Sequence, residues 1–414
     1  MARRTFSSAT VGSLVAAAIL VCIGSGQAQT SPTVASDRAA GLVVYPKIVV
    51  DTGDLFHVGR RADTVIQLTN TSSSTRVVHC FYVDATSHCS NGTNSFDPAQ
   101  PGDNPSDPQH GRCRSQADCD QGGGCIPFWR AGDFSLVLSA NQPLGWRVGG
   151  TGNVVPDDTT AQMQPIPPTS SFFVGELKCF EVDGTSAAGS SLTPINANDL
   201  KGEATIYEVS SGPGGSVDVR SYNAVGIQAV SANGATQNDR TMCLGSGASG
   251  CTAAEYASCP STLVLDHPFD GLTPSGVVAR TDVTFVPCTE DFVTIAANGA
   301  TATAVQLLVF NEFEQRFSAS TRINCFKETA LSLIDTTPGN ESQSIFNVNV
   351  QGTLTGQTKM RPVVNAQPGH GLLAVAEEFH SIGDSQGSAA YNVDYTAALP
   401  AGAGDSVRFV VAVP

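Results

Sequence analysis

The chain has 414 residues, with 22 Lys and Arg against 37 Asp and Glu and a formal net charge of −15 at pH 7. A field of that sign repels phosphate backbones and argues against nucleic acid as a partner. At 41% hydrophobic and 14% charged residues the chain is too apolar to be disordered, and 41 Gly among many Thr, Ser and Val point to β-structure.

A secretory signal opens the sequence. Arg3 and Arg4 supply a basic start, Val11 to Ile23 an apolar stretch too short to span a bilayer, and Gly26-Gln27-Ala28 the small residues of a cleavage site. The signal is placed at 1–28 and a linker at 29–41. Arg3-Arg4-Thr5-Phe6 also resembles a twin-arginine start, so the export route stays open between two systems. No later run of 18 apolar residues follows, and the expected mature chain has no transmembrane segment and is secreted, periplasmic or at the cell surface.

Export gives the cysteines meaning, because in an oxidising compartment their default state is the disulfide. Of 12, Cys22 falls in the signal, leaving Cys80, Cys89, Cys113, Cys119, Cys125, Cys179, Cys243, Cys251, Cys259, Cys288 and Cys325. The remainder is odd, so at least one is free or otherwise used.

Strands are predicted at Thr64 to Leu68, Arg76 to Val83, Phe134 to Leu138, Phe172 to Val182, Glu203 to Val209 and Val217 to Val230. They continue at Val283 to Val286, Ala304 to Phe310, Ile345 to Val350, Leu372 to Ala376 and Val407 to Val413. Thr252-Ala253-Ala254-Glu255 has capping-box spacing and predicts a short helix between Cys251 and Cys259.

An internal repeat organises these segments. Val44-Tyr45-Pro46 matches Phe285-Val286-Pro287, and Ile66 to Asn70 matches Leu307 to Asn311, at one constant offset of 241 residues. Thr75 to Phe81 then matches Thr321 to Phe326, Gly175-Glu176-Leu177 matches Gly371-Leu372-Leu373, and Ser221 to Val225 matches Ala390 to Val393. The expected fold is all-β: two tandem β-sandwiches, Ig-like or jelly-roll-like, with a disulfide-rich insertion in the first. The first domain spans 42–245 with its insertion at about 85–130, a Cys-containing connector spans 246–276, and the second domain spans 277–414.

Most chemistry finds no local support. There is no Gly-x-Ser-x-Gly elbow, no Cys-x-x-Cys, no His-Glu-x-x-His and no phosphate loop. His79 and Cys80 fall on opposite faces of a strand, which reads as a surface histidine beside a buried disulfide sulfur. No cofactor is expected. Calcium is the one ion weighed, on Asp97, Asp103, Asp107, Asp118 and Asp120 of the insertion, and the alternate-position spacing of an EF loop is missing.

The insertion carries Cys89 and the run from Cys113 through Cys119 to Cys125, an even set that two internal disulfides would close. Cys113 to Cys125 resembles the small Cys-rich segments of exported bacterial β-sandwich proteins, which implies export and bacterial origin but no particular activity. Among the other cysteines, Cys288 and Cys325 form the economical pair of the second domain, Cys179 is the partner assigned to Cys80, and Cys243, Cys251 and Cys259 make a second knot. Recognition is placed on the insertion, with Arg112 and Arg114 as its basic residues and Phe128 and Trp129 as apolar anchors. The functional expectation is an exported, non-enzymatic structural or interaction protein of the bacterial envelope or exterior, with a protein or cell-surface partner. The alternative is an extracellular carbohydrate-binding module or glycoside hydrolase, which a cleft with aromatic walls and two facing carboxylates would favour.

Overall fold

The computed structural model describes residues 34–52, 60–89, 125–150, 166–169, 172–183, 194–210, 216–230, 244, 254–288, 302–324, 326–335, 339–363, 371–383 and 385–395. From Pro32 to Pro414 the chain is one compact unit. Its strands pair antiparallel, as a chain rich in short strands and Gly- or Ser-rich connections does.

In the first half, β1 (Val34–Ala35), β2 (Leu42–Asp51), β3 (Arg60–Asn70), β4 (Arg76–Cys89) and β5 (Cys125–Leu138) are followed by β6 (Pro143–Arg147) and β7 (Phe172–Val182). β8 (Leu200–Ser210), β9 (Val217–Asn223) and β10 (Val225–Ile227) complete a 10-stranded sheet ordered β5-β4-β7-β2-β3-β8-β9, with β10 also on β2, β1 on β10 and β6 on β3. β2 meets β3 at the single register pair Asp51–Ala62, and the two limbs of the sheet close on one core. Val43, Tyr45, Cys80, Tyr82 and Phe173 enter it from one limb and Ile66, Leu68, Trp146, Ala204 and Ile206 from the other.

The second half contains β11 (Leu263–Pro268), β12 (Gly271–Leu272), β13 (Val278–Pro287), β14 (Ala302–Asn311), β15 (Arg316–Asn324) and β16 (Lys327–Ala330). The four-residue helix α1 (Val348–Gln351) precedes β17 (Thr355–Val363), β18 (Leu372–Ile382), β19 (Ser385–Asn392) and β20 (Asp394–Tyr395). One five-stranded sheet runs β15-β14-β17-β11-β20; the other runs β12-β13-β18-β19 with β16 on β13. Leu265, Leu307 and Met360 from the first pack against Phe285, Leu372 and Ala374 from the second. Burying a side chain such as Phe285 contributes about 1.5–3 kcal/mol, and this shared core is what holds the two sheets together.

β18 explains how the halves join. Its alternation sends Leu372, Ala374 and Ala376 into the second core, whereas Val375 reaches the first core and Leu373 a third cluster between the halves. With both faces covered, the strand is buried without interruption from Leu372 to Glu377 except for changes of partner. That third cluster contains Leu42, Val44, Phe81, Phe180, Tyr256, Cys259 and Cys288, so connector and second half lie against the outer face of β2, β4 and β7.

The structure corrects several expectations. Ile345 to Val350 is not a strand: Asn347 caps α1 by accepting from the amide of Asn349 at 3.0 Å, and Gly352 ends it at φ 66°. No helix forms among residues 254–259; Tyr256 is fully buried and bridges Ala229 and Leu244 in extended backbone, its ring burial overriding the capping-box pattern. Cys288 pairs with Cys259 rather than with Cys325, tying the connector to the end of β13, and Cys325 lies outside the described residues. His79 does stand opposite Cys80, yet it is buried, with its ring 4.5 Å from that of Phe81 and its Nδ1 2.9 Å from Ser135 Oγ.

The structure does not establish the expected tandem duplication, although two local features recur. β2 pairs with β7 as β13 pairs with β18, and Asn70 and Asn311 both close a strand by bracing the next turn: Asn70 Oδ1 accepts from the amide of Ser72 and Asn311 Oδ1 from that of Phe313. The pairing then diverges, because β4 lies between β5 and β7 whereas β15 folds back on β14. The scheme therefore does not repeat strand for strand.

Candidate functional site

Among the described residues a dense group of buried charges lies in the seam between the halves, and a local irregularity of β2 creates it. Pro46 lacks an N–H, and the β2–β7 register shifts between Tyr45 and Ile48. Tyr45 and Ile48 consequently both enter the first core, while Lys47 is delivered to the opposite face. The tyrosyl hydroxyl of Tyr222 satisfies the backbone freed by the bulge, accepting from the Lys47 amide at 3.0 Å and donating to its carbonyl.

Glu377 of β18 receives this cation. Its carboxylate bonds the Lys47 ammonium through one oxygen and, through the other, accepts from Arg220 Nε at 2.8 Å. Arg220 extends the network to Glu208 at 2.6 Å and Asp218 at 2.5 Å, and its guanidinium lies 5.0 Å from the Phe379 ring centroid. Lys47 also reaches Glu328 of β16 at 2.7 Å. Side-chain exposures of 3% for Lys47, 2% for Arg220 and 1% for Glu377 put the centre of the network out of water.

Electrostatics fix these groups as ions. Burial alone pushes the Lys47 ammonium down, but the Glu328 and Glu377 carboxylates outweigh it and hold the pKa above its ordinary value. For Glu377, burial pushes up and the Lys47 and Arg220 charges win, leaving the carboxyl below the usual range. Neighbouring β7 adds Glu176 and Lys178, both buried and 2.7 Å apart. A cleft of about 320 Å³ opens from the network toward solvent past Arg60, Asp282 and Arg280.

A wider groove of about 720 Å³ lies at the end of the other sheet, among Asp266, Phe310, Glu312, Gln357, Glu378 and His380. Its carboxylates are also engaged. Glu312 accepts from the amide and hydroxyl of Thr355 at 3.0 and 2.9 Å, which holds its carboxyl below the usual range. Glu378 accepts from Tyr391 Oη at 2.5 Å and lies 3.3 Å from His380 Nε2. Among the described residues no group of three or more His, Cys, Asp or Glu is arranged to hold a metal ion.

The residues singled out in the sequence fall elsewhere. Arg112, Arg114, Cys113, Cys119, Cys243, Cys251 and the five aspartates weighed for calcium lie outside the described residues. Cys89, Cys125, Phe128 and Trp129 are on the paired ends of β4 and β5, where Cys89 and Cys125 are Cα partners; their side chains are outside the description. Cys80 and Cys179 are bonded across β4 and β7. Trp146 belongs to the core, its Nε1 donating to Tyr82 Oη at 2.8 Å, and offers no sugar-stacking surface. Lys47, Arg220 and Glu377 were not singled out; the one signal in the sequence was a lysine after proline inside an apolar run.

No family model matches the chain, and no curated protein matches it in sequence. Among solved structures, the CupB6 tip adhesin from Pseudomonas aeruginosa aligns over 86% of this chain and 98% of its own at 9% identity, with a TM-score of 0.11. A likeness of that size carries no argument about either fold or function. What stands is an all-β chain in several antiparallel sheets with two disulfides among the described residues, and no helix there long and apolar enough to cross a membrane.

Proposed function

We propose that this chain is an exported, non-enzymatic structural or interaction protein of the bacterial envelope or cell exterior. The observation that carries the reading is the double pairing of Glu377. A catalytic carboxyl pair needs one member kept protonated and a path to substrate. Glu377 is instead ionised, enclosed and shared between Lys47 of β2 and Arg220 of β9. The network acts as a clamp holding the halves in one orientation, as a rigid scaffold requires. Buried disulfides at Cys80–Cys179 and Cys259–Cys288 support an oxidising compartment.

The test is to incubate the purified chain with a panel of plant, algal and bacterial polysaccharides and with casein, following reducing ends and new amino termini. No turnover is expected. Turnover that is abolished by Glu377→Gln in a protein of unchanged near-UV circular dichroism would overturn the reading.

A further inference from the structure

We propose that the outer face of the β15-β14-β17-β11 sheet binds an anionic polysaccharide. The inference rests on the extracellular, non-enzymatic reading above and names the partner of such a scaffold. Strand alternation puts Val305, Leu307 and Val309 of β14 and Met360 of β17 in the core, so their sequence neighbours face outward. The outward set holds four cations: Arg316 and Arg322 on β15, and Lys359 and Arg361 on β17.

Register turns these four into a track. Arg316 stands opposite Phe310, which is opposite Gln357; the next outward row is Ser318, Leu308 and Lys359; then come Ser320, Gln306 and Arg361; the last is Arg322 beside Ala304 and Val363. Each of four successive rows therefore carries one cation, with rows about 7 Å apart along the strands and neighbouring strands about 4.8 Å apart. A linear polymer with regularly spaced carboxylates would meet them in turn.

The charge is out of keeping with the molecule. A chain of net −15 has 22 basic residues in all, and four of them share this one face. Among the described residues Arg316 and Arg322 are exposed and have no ion-pair partner. The nearby acids keep their charge but gather at one end of the track, in the Arg316 row and the turn before it: Asp266 accepts from Gln357 Nε2 at 2.9 Å, Glu312 is held by Thr355, and Glu314 sits in the β14–β15 turn.

The material between the cations identifies the class of partner. Protein interfaces are built around a desolvated apolar centre with aromatic anchors. Here the middle rows present Ser318, Ser320 and Gln306, hydroxyl and amide groups suited to sugar hydroxyls, around a single partly buried aliphatic side chain, Leu308. Lys359 lies 5.3 Å over the half-buried Phe310 ring, and Phe313 stands exposed in the turn beside Arg316, so aromatic surface borders the track at one end.

Affinity electrophoresis of the mature chain in native gels containing alginate or polygalacturonate, with dextran as the neutral control, tests this. Retardation is expected with the uronates and not with dextran, and is lost at about 0.5 M NaCl, where the Debye length shrinks to a few ångströms. Arg316→Glu with Arg322→Glu, both exposed substitutions, is expected to weaken retardation about tenfold or more while the melting temperature stays unchanged. Three results overturn the proposal: equal mobility with and without uronate, capture by polyphosphate or anionic phosphatidylglycerol vesicles but not by uronate, or salt-sensitive self-association that the double variant abolishes. Release of reducing ends from the bound uronate would instead overturn the non-enzymatic reading and leave binding standing.

Discussion

Lys47 and Glu377 come from opposite halves of the chain, 330 residues apart, and form an ion pair with almost no exposure to water. Removing one partner from such a pair strands the other charge in a poor solvent, which costs more than the pair itself contributes. Lys47→Met is expected to lower unfolding free energy by about 3 kcal/mol, and Glu377→Leu by a comparable amount. Urea denaturation of both singles and the double should give a coupling that is strongly non-additive. Additive losses would show that the two side chains do not interact in solution.

Buried titratable groups predict an acid-shifted stability optimum. Burial lifts Glu181 from 4.5 to about 7 despite the Asp199 amide and the Arg76 guanidinium, and lifts Asp270 from 3.8 to about 6 despite its bonds to Ser332 and Thr281. A carboxyl raised in the folded state binds more protons there, so each of these two makes stability fall as pH rises through its window. His267, lowered by burial from 6.5 to about 4, has the opposite sign between those values. Glu377, held low, contributes stability above about 4.5 that is lost as pH falls through its folded pKa. The sum favours pH 5 over pH 7.5, and Glu181→Gln should flatten the difference in melting temperature. A wild-type maximum above pH 7 would refute the assignment.

Disulfide mapping separates two arrangements of the cysteines. Non-reducing peptide maps should recover Cys259 joined to Cys288 and Cys80 joined to Cys179. The latter spans 99 residues, so its loss by paired Ala substitution should cost about 4–5 kcal/mol in the chain-entropy account. The antiparallel register of Cys89 with Cys125 leads to the expectation of a third linked pair at the base of the insertion, since opposed Cα atoms lie about 4.5–5.5 Å apart. Recovery of Cys89 linked instead to Cys113 or Cys119 would contradict it.

Gly202 fits under the ring of Tyr45. A Cβ there would meet Tyr45 Oη, Tyr45 Cζ at 2.7 Å and Gln67 O at 2.9 Å, breaking into the bond that Tyr45 Oη donates to Gln67 O at 2.7 Å. Gly202→Ala should destabilise by about 2–3 kcal/mol through overpacking. Gly387→Ala, with nothing within 4 Å, is the control and should leave the unfolding midpoint unchanged or raise it slightly.

Local pattern was legible where a strand carries a run of apolar residues bounded by clear turn residues. Phe172–Val182 was predicted to the residue, and the cores of β3, β4, β8, β14 and β18 were found with short ends. The same reasoning missed β2, whose Pro46 and Lys47 interrupt an apolar run, and β15 and β17, whose inward positions include Ala319, Thr321, Gly356, Thr358 and Pro362 and so lack the apolar half of the alternation. It also took Ile345 to Val350 for a strand, because Phe346, Val348 and Val350 alternate with asparagines at the strand period, over a stretch too short to show that Asn347 caps a one-turn helix.

By itself, then, the sequence determined the all-β class, since period-two alternation and glycine-rich connections act through neighbours a few residues apart. Only the tertiary structure decided which cysteine Cys288 takes, and that Lys47, Arg220 and Glu377 meet. Those outcomes depend on which sheet face is laid against which, and nothing within 10 or 20 residues of Lys47 encodes a carboxylate on β18. The same holds for the basic track: Arg316, Arg322, Lys359 and Arg361 become one surface only when β14 places β15 and β17 on either side of itself.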